Sequence, residues 1–69
     1  MRFLYVIEKA ENNYSAYLPD IPGCIATGAT VDEVKESLGK AVLLHLKGLE
    51  EDGIPIPQSL ASADYLTVA

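Results

Sequence analysis

The chain has 69 residues, and its ten Asp and Glu outnumber five Lys and Arg to give a net charge of −5. With 49% apolar residues it is too hydrophobic for a disordered tail, and no apolar run approaches the ~20 residues of a membrane span. This length makes one domain, 1–69, near the lower limit for folding alone, where self-association is a common remedy.

Met1 to Ile7 is apolar but reaches Glu8 and Lys9 too soon for a secretory signal. The single cysteine, Cys24, excludes an internal disulfide and leaves no metal-ligand cluster. The expectation is a cytoplasmic protein with no cofactor. Its basic residues, Arg2, Lys9, Lys35, Lys40 and Lys47, are scattered, which disfavours nucleic acid. The acidic excess suits a basic partner.

Arg2 to Glu8 reads as a strand, with Phe3, Tyr5 and Ile7 on one face and Leu4 and Val6 on the other. Two apolar faces predict burial on both sides. Glu11-Asn12-Asn13 turns the chain, because Asn tolerates left-handed backbone. Tyr14 to Leu18 completes a hairpin. In Pro19-Asp20-Ile21-Pro22-Gly23, Pro22 and Gly23 fit the central positions of a type II turn. Cys24 to Thr27 is a third strand ending at Gly28.

Thr30-Val31-Asp32-Glu33 has capping-box spacing, with acid at the positive end of the helix dipole. The helix runs to about Asp52, with Gly53 as left-handed terminator. At about 100° per residue, Val31, Val34, Leu38, Ala41, Val42, Leu46 and Leu49 share a core-facing stripe. Gly39 and Gly48 cost this helix up to ~1 kcal/mol each against Ala. Pro55 and Pro57 end it, Gln58 to Ala63 connects, and Tyr65 to Val68 forms a fourth short strand. The order is β-β-β-α-β, an α+β domain of one sheet covered by a single helix. The uncovered sheet face marks an interaction surface and predicts a dimer or larger.

Three strings carry a resemblance. Tyr17-Leu18-Pro19-Asp20-Ile21-Pro22-Gly23-Cys24 resembles the "FPDLPGC" turn of HicB-like antitoxins. Gly28 to Val34 is similar to their helix entry, with Ala29 where Asp is usual, and Leu46 to Pro57 to their acidic, Gly- and Pro-marked helix exit. The resemblance covers almost the whole chain. It implies a partial RNase H-like fold that has lost catalysis. The implied role is to bind and neutralise a small basic HicA-like toxin, an mRNA-cleaving ribonuclease with a catalytic histidine. The implied assembly is a homo-oligomer, dimer or tetramer. Many members add a DNA-binding domain; here the chain stops at Ala69, so no direct DNA binding is expected. A stand-alone oligomeric scaffold of the same fold, without a toxin, is the alternative.

No residue reads as catalytic, and no enzyme is expected. His45 falls within the apolar stripe and reads as a structural residue bonded through one nitrogen. Cys24 has no base nearby in sequence and reads as a buried thiol. Among the carboxylates, Glu8, Glu33, Glu36 and Asp64 lie near strand ends or on the helix, but Leu4, Tyr5 and Val6 stand where a two-metal nuclease needs its central ligand. The four tyrosines and Phe3 lack the flanking Arg and Lys of a base-stacking platform, so they read as core or protein interface. The partner-binding candidates are the acidic run Glu50, Glu51 and Asp52, and the off-stripe pair Leu43 and Leu44.

Overall fold

The computed structural model describes residues Met1–Ala69 and has the order β-β-β-α. Strand β1 (Val6–Lys9) pairs antiparallel with β2 (Tyr14–Tyr17), which pairs antiparallel with β3 (Ile25–Gly28). Helix α1 (Val31–Glu51) then crosses one face, over β3 and β2. No helix is long and apolar enough to cross a membrane.

The helix ends follow from local chemistry. Thr30 is extended at φ −130°, and its Oγ1 accepts the Glu33 N–H at 3.1 Å. Glu33 Oε2 reaches back to accept the Ala29 N–H at 3.0 Å, one residue beyond the usual reciprocal partner. At the other end Gly53 takes φ +68°, which L side chains resist. The Gly53 N–H donates to Glu50 O and the Ile54 N–H to Leu49 O, a Schellman closure that satisfies the last carbonyls.

The loop between β2 and β3 is the expected turn. The Cys24 N–H donates to Ile21 O at 3.2 Å, and Gly23 has φ +83° at the second central position. The bend folds Ile21 inward, where it is fully buried. Between β1 and β2 no residue takes positive φ, so the left-handed tolerance of Asn12 and Asn13 goes unused.

The core consists of Ala16, Leu18, Ile21, Cys24, Val34 and Leu38. On the helix-facing side of the sheet Ile7, Ala16 and Ala26 form one cross-strand row. Two alanines there let α1 come close. At Gly28 the approach is closer still: a Cβ would stand 2.8 Å from the Val34 nitrogen. Nothing lies within 4 Å of the Cβ positions of Gly39 and Gly48, so they admit no close packing in the monomer.

Four expectations need correction. First, Tyr65 to Val68 forms no strand; its side chains lie in solvent and the sheet has three strands. Second, pairing of the first strand begins at Val6, and Arg2–Tyr5 make no backbone–backbone hydrogen bond. The register places their partners at Leu18 and beyond, where β2 has turned and Pro19 has no N–H to give. Third, that strand is not buried on both sides: Val6 and Ile7 are half-buried and Tyr5 is exposed.

Fourth, the helix stripe is only partly core. Val31 is exposed, and His45 and Leu49 are half-buried, with no side-chain hydrogen bond from His45. Length explains this. Strands of four residues span about 13 Å, whereas a helix of 21 residues spans about 31 Å. Much of α1 therefore overhangs the sheet.

Candidate protein-binding surface

Three surfaces of this small core are open. The sheet face away from α1 carries the cross-strand row Val6, Tyr17 and Ile25, with Tyr17 and Ile25 exposed. The neighbouring row on that face is Glu8, Ser15 and Thr27. The face is thus apolar at the end where β1 begins and polar at the other.

The second surface is a groove of about 590 Å³ between the start of the chain and α1. Met1, Phe3 and Tyr5 form one wall, and Leu38, Val42 and Leu43 the other. It exists because α1 sits over β3 and β2 and leaves the outer side of β1 without a helix above it.

The third surface is the solvent side of α1. Leu43 and Leu44 are 72% and 73% exposed, where the helix stripe alone would place polar residues. They diverge by about 100° around the axis, so Leu43 belongs to the groove and Leu44 does not. Each has a carboxylate seven residues on, almost directly below it: Glu50 under Leu43 and Glu51 under Leu44. The two leucines are therefore separate apolar points, each above an acid.

Glu50, Glu51 and Asp52 are all exposed, and no basic residue occupies the last turn. The one ion pair of the molecule, Lys40 Nζ to Glu36 Oε1 at 3.4 Å, lies more than two turns away. Three carboxylates thus add to the roughly half negative charge of the helix C-terminus with no ion pair to any of them, Lys47 standing one turn before without closing one. The self-repulsion slightly weakens the helix end and makes it the most negative point on α1.

Of the remaining polar candidates, all but Glu8 have structural occupations. Glu33 caps the helix, Glu36 pairs with Lys40, Glu8 is exposed, and Asp64 accepts the N–H of its neighbour Tyr65 at 2.7 Å. No three His, Cys, Asp or Glu side chains converge in a way that would hold a metal ion. Cys24 is buried, and burial pushes its thiol pKa up, away from nucleophilic use.

One contact escaped sequence reasoning. Asp20 Oδ2 accepts the N–H groups of Leu60 and Ala61, at 3.1 and 2.9 Å. The carboxylate of the turn thereby clasps the segment after the helix, so that Ser59 and Ala61 border one cleft with Arg2, Phe3 and Leu4. Asp in a Pro-rich turn is explained by turn chemistry alone, so nothing in the sequence announces a partner 40 residues away.

The molecule is similar to known proteins. A family model described as HicB-like antitoxin of bacterial toxin-antitoxin system matches residues 3–67. An uncharacterized 14.9 kDa protein of Haemophilus phage HP1 is 32% identical over 66 residues, covering 96% of this chain and 50% of that protein. A UPF0150 protein of Helicobacter pylori is 40% identical over 47 residues, 68% of this chain and 65% of that one. One from Archaeoglobus fulgidus is 39% identical over 56 residues, 77% and 81% of the two. Among solved structures, a chain of a HicA3 and HicB3 toxin-antitoxin complex superposes with TM-score 0.68 at 28% identity, covering 84% of this chain and 66% of that one. The chain spans half of the phage relative and just under two thirds of the Helicobacter protein and the solved chain.

Proposed function

The chain belongs to the HicB-like antitoxins of bacterial toxin-antitoxin systems, and from that premise we propose that it binds a small basic HicA-like toxin and blocks mRNA cleavage by covering the toxin's active site. The observation that carries this reading is the unneutralised acidic end of α1 beside exposed Leu43 and Leu44. A basic ribonuclease has a positive RNA-binding surface, and an acidic surface competes for it by the same electrostatics. In this reading Glu50, Glu51 and Asp52 steer the encounter, and the leucines supply desolvated contact. The β-β-β-α core then acts as a partial RNase H-like fold without catalysis, working in the cytoplasm as a homo-oligomer.

The test mixes the purified chain with each HicA-like toxin encoded in the same genome and follows cleavage of a labelled mRNA. Stoichiometric suppression of cleavage is expected. Charge reversal at Glu50, Glu51 and Asp52 to Lys should weaken suppression most at low salt, because long-range attraction is screened as salt rises. Undiminished cleavage by every such toxin at excess antitoxin would sink the proposal and leave the stand-alone scaffold.

A further inference from the structure

Gly53 and the Ile54 N–H already close the helix, so termination does not account for all of Ile54-Pro55-Ile56-Pro57. Ile54 and Ile56 are 50% and 39% exposed. Each precedes a proline, whose ring excludes helical backbone from the residue before it, so the stretch runs extended. It carries four carbonyls but only two N–H groups, since proline has none. The Ile54 N–H is taken by Leu49 O at 2.9 Å. None of the four carbonyls accepts a hydrogen bond from the chain. The stretch therefore offers acceptors almost without donors, with two branched apolar side chains among them.

Both ends of this strip are fixed. Gly53, at φ +68°, joins it to α1. At the far end Asp20 Oδ2 holds the Leu60 and Ala61 N–H groups at 3.1 and 2.9 Å. A proline-stiffened spacer anchored at both ends has little freedom left to lose on binding. Exposed Glu50, Glu51 and Asp52 adjoin its near end, and none of them is in an ion pair. Strip and acidic run thus ask for the same thing from a partner, which is hydrogen-bond donors and positive charge. Another strand could not use the strip as a ladder, because Pro55 and Pro57 interrupt the row of N–H groups.

We propose that Ile54–Pro57 is a preformed docking strip for the basic toxin of the preceding reading, received in a toxin groove where aromatic rings stand among lysine and arginine side chains. The proposal rests on that reading and says which part of this chain the toxin encloses. Extended proline-containing segments suit aromatic-lined grooves because their conformation is set before binding. Ile54 and Ile56 enter the apolar part of the groove, and the toxin's N–H and O–H donors take the free carbonyls. Its cations meet Glu50, Glu51 and Asp52 at one end. Asp20 is a positioning residue: it holds the far end of the strip and touches no toxin.

The experiment titrates toxin into the chain by calorimetry at low and high salt, with any HicA-like toxin whose mRNA cleavage the intact chain suppresses. Ile54→Ser/Ile56→Ser should weaken binding about tenfold or more, and equally at both salt concentrations, because apolar contact is not screened. Asp20→Ala should weaken it about two- to fivefold, and Asp20→Asn, which keeps an acceptor for the Leu60 and Ala61 N–H groups, should restore it. A second arm places an environment-sensitive dye at Ile56→Cys, where emission should shift to the blue as toxin is added. Cys24 is buried and leaves the dye a single site. Unchanged affinity in Ile54→Ser/Ile56→Ser with its helical circular dichroism intact, or an unshifted dye at saturating toxin, would overturn the docking strip while suppression by the intact chain still stands. If the double variant loses its helix, the dye decides. A chain that suppresses no toxin overturns both the strip and the reading beneath it.

Discussion

The two halves of the antiparallel sheet differ in what covers them. The half built from β2 and β3 lies under α1 and includes Ala16, Ile21 and Cys24, all buried. The stretch that leads into β1 is as apolar in sequence, yet Met1 and Tyr5 are exposed and Phe3 and Leu4 half-buried. Composition is therefore not what divides them. The division is made by Pro19, which turns β2 away from residues 2–5, and by a single helix too narrow to span three strands. Hydrophobicity supplies the drive to bury surface; the number of covering elements decides where it succeeds.

Substitutions probe this contrast. Leu38→Ala, under the covered half, should cost about 2–5 kcal/mol in urea unfolding, whereas Leu44→Ala, on the open side of the same helix, should stay within about 0.5 kcal/mol. Equal effects would mean that Leu44 is covered in solution. Gly28→Ala forces a Cβ against the Val34 backbone nitrogen and should destabilise by about 1–3 kcal/mol. Asp20→Ala leaves the Leu60 and Ala61 amides to water. It should cost about 1 kcal/mol and speed proteolysis beyond Pro57, while the helix signal holds. Gly48→Ala should act in the opposite direction and stabilise by up to ~1 kcal/mol, since its Cβ meets open space.

The smallest effect is in alkali. Burial raises the Cys24 thiol pKa above its unfolded value, so the folded chain keeps a proton that the unfolded chain loses. Stability is full below the unfolded thiol pKa of about 8.5 and falls as pH rises from there toward the folded value. Thermal melts between pH 7 and pH 10 should show that slope in the native chain, and Cys24→Ala should remove this contribution.

Family membership and the order of the first four elements were legible in the sequence because their signals are local. Thr30 and Glu33, Pro22 with Gly23, and Gly53 each act within a few residues, and each performs its expected backbone task, Glu33 with its partner shifted by one residue to Ala29. The failures came where distance decides. Tyr65 to Val68 has strand composition, but strand preference expresses packing against neighbours, and this monomer supplies none. Pairing at Arg2–Tyr5 depends on a turn elsewhere. Periodicity put Leu43 and Leu44 off the core stripe correctly but did not reveal that one rims a groove and the other stands apart. The reach of Asp20 to Leu60 and Ala61 left no trace in local pattern.

That reach also sets an order of events in folding. The hairpins and the helix join residues near in sequence and form early. Until α1 exists, Asp20 and Leu60 are the ends of a chain of 40 residues. Once α1 exists and its end is fixed at Gly53, only the stretch from Gly53 to Leu60 remains to be closed, at an entropic cost of about 2 kcal/mol. Two hydrogen bonds to one carboxylate, close to water, barely exceed that cost. The clasp therefore closes last and opens first, many times for each global unfolding, and the residues beyond Ala61 come free while the core stays intact.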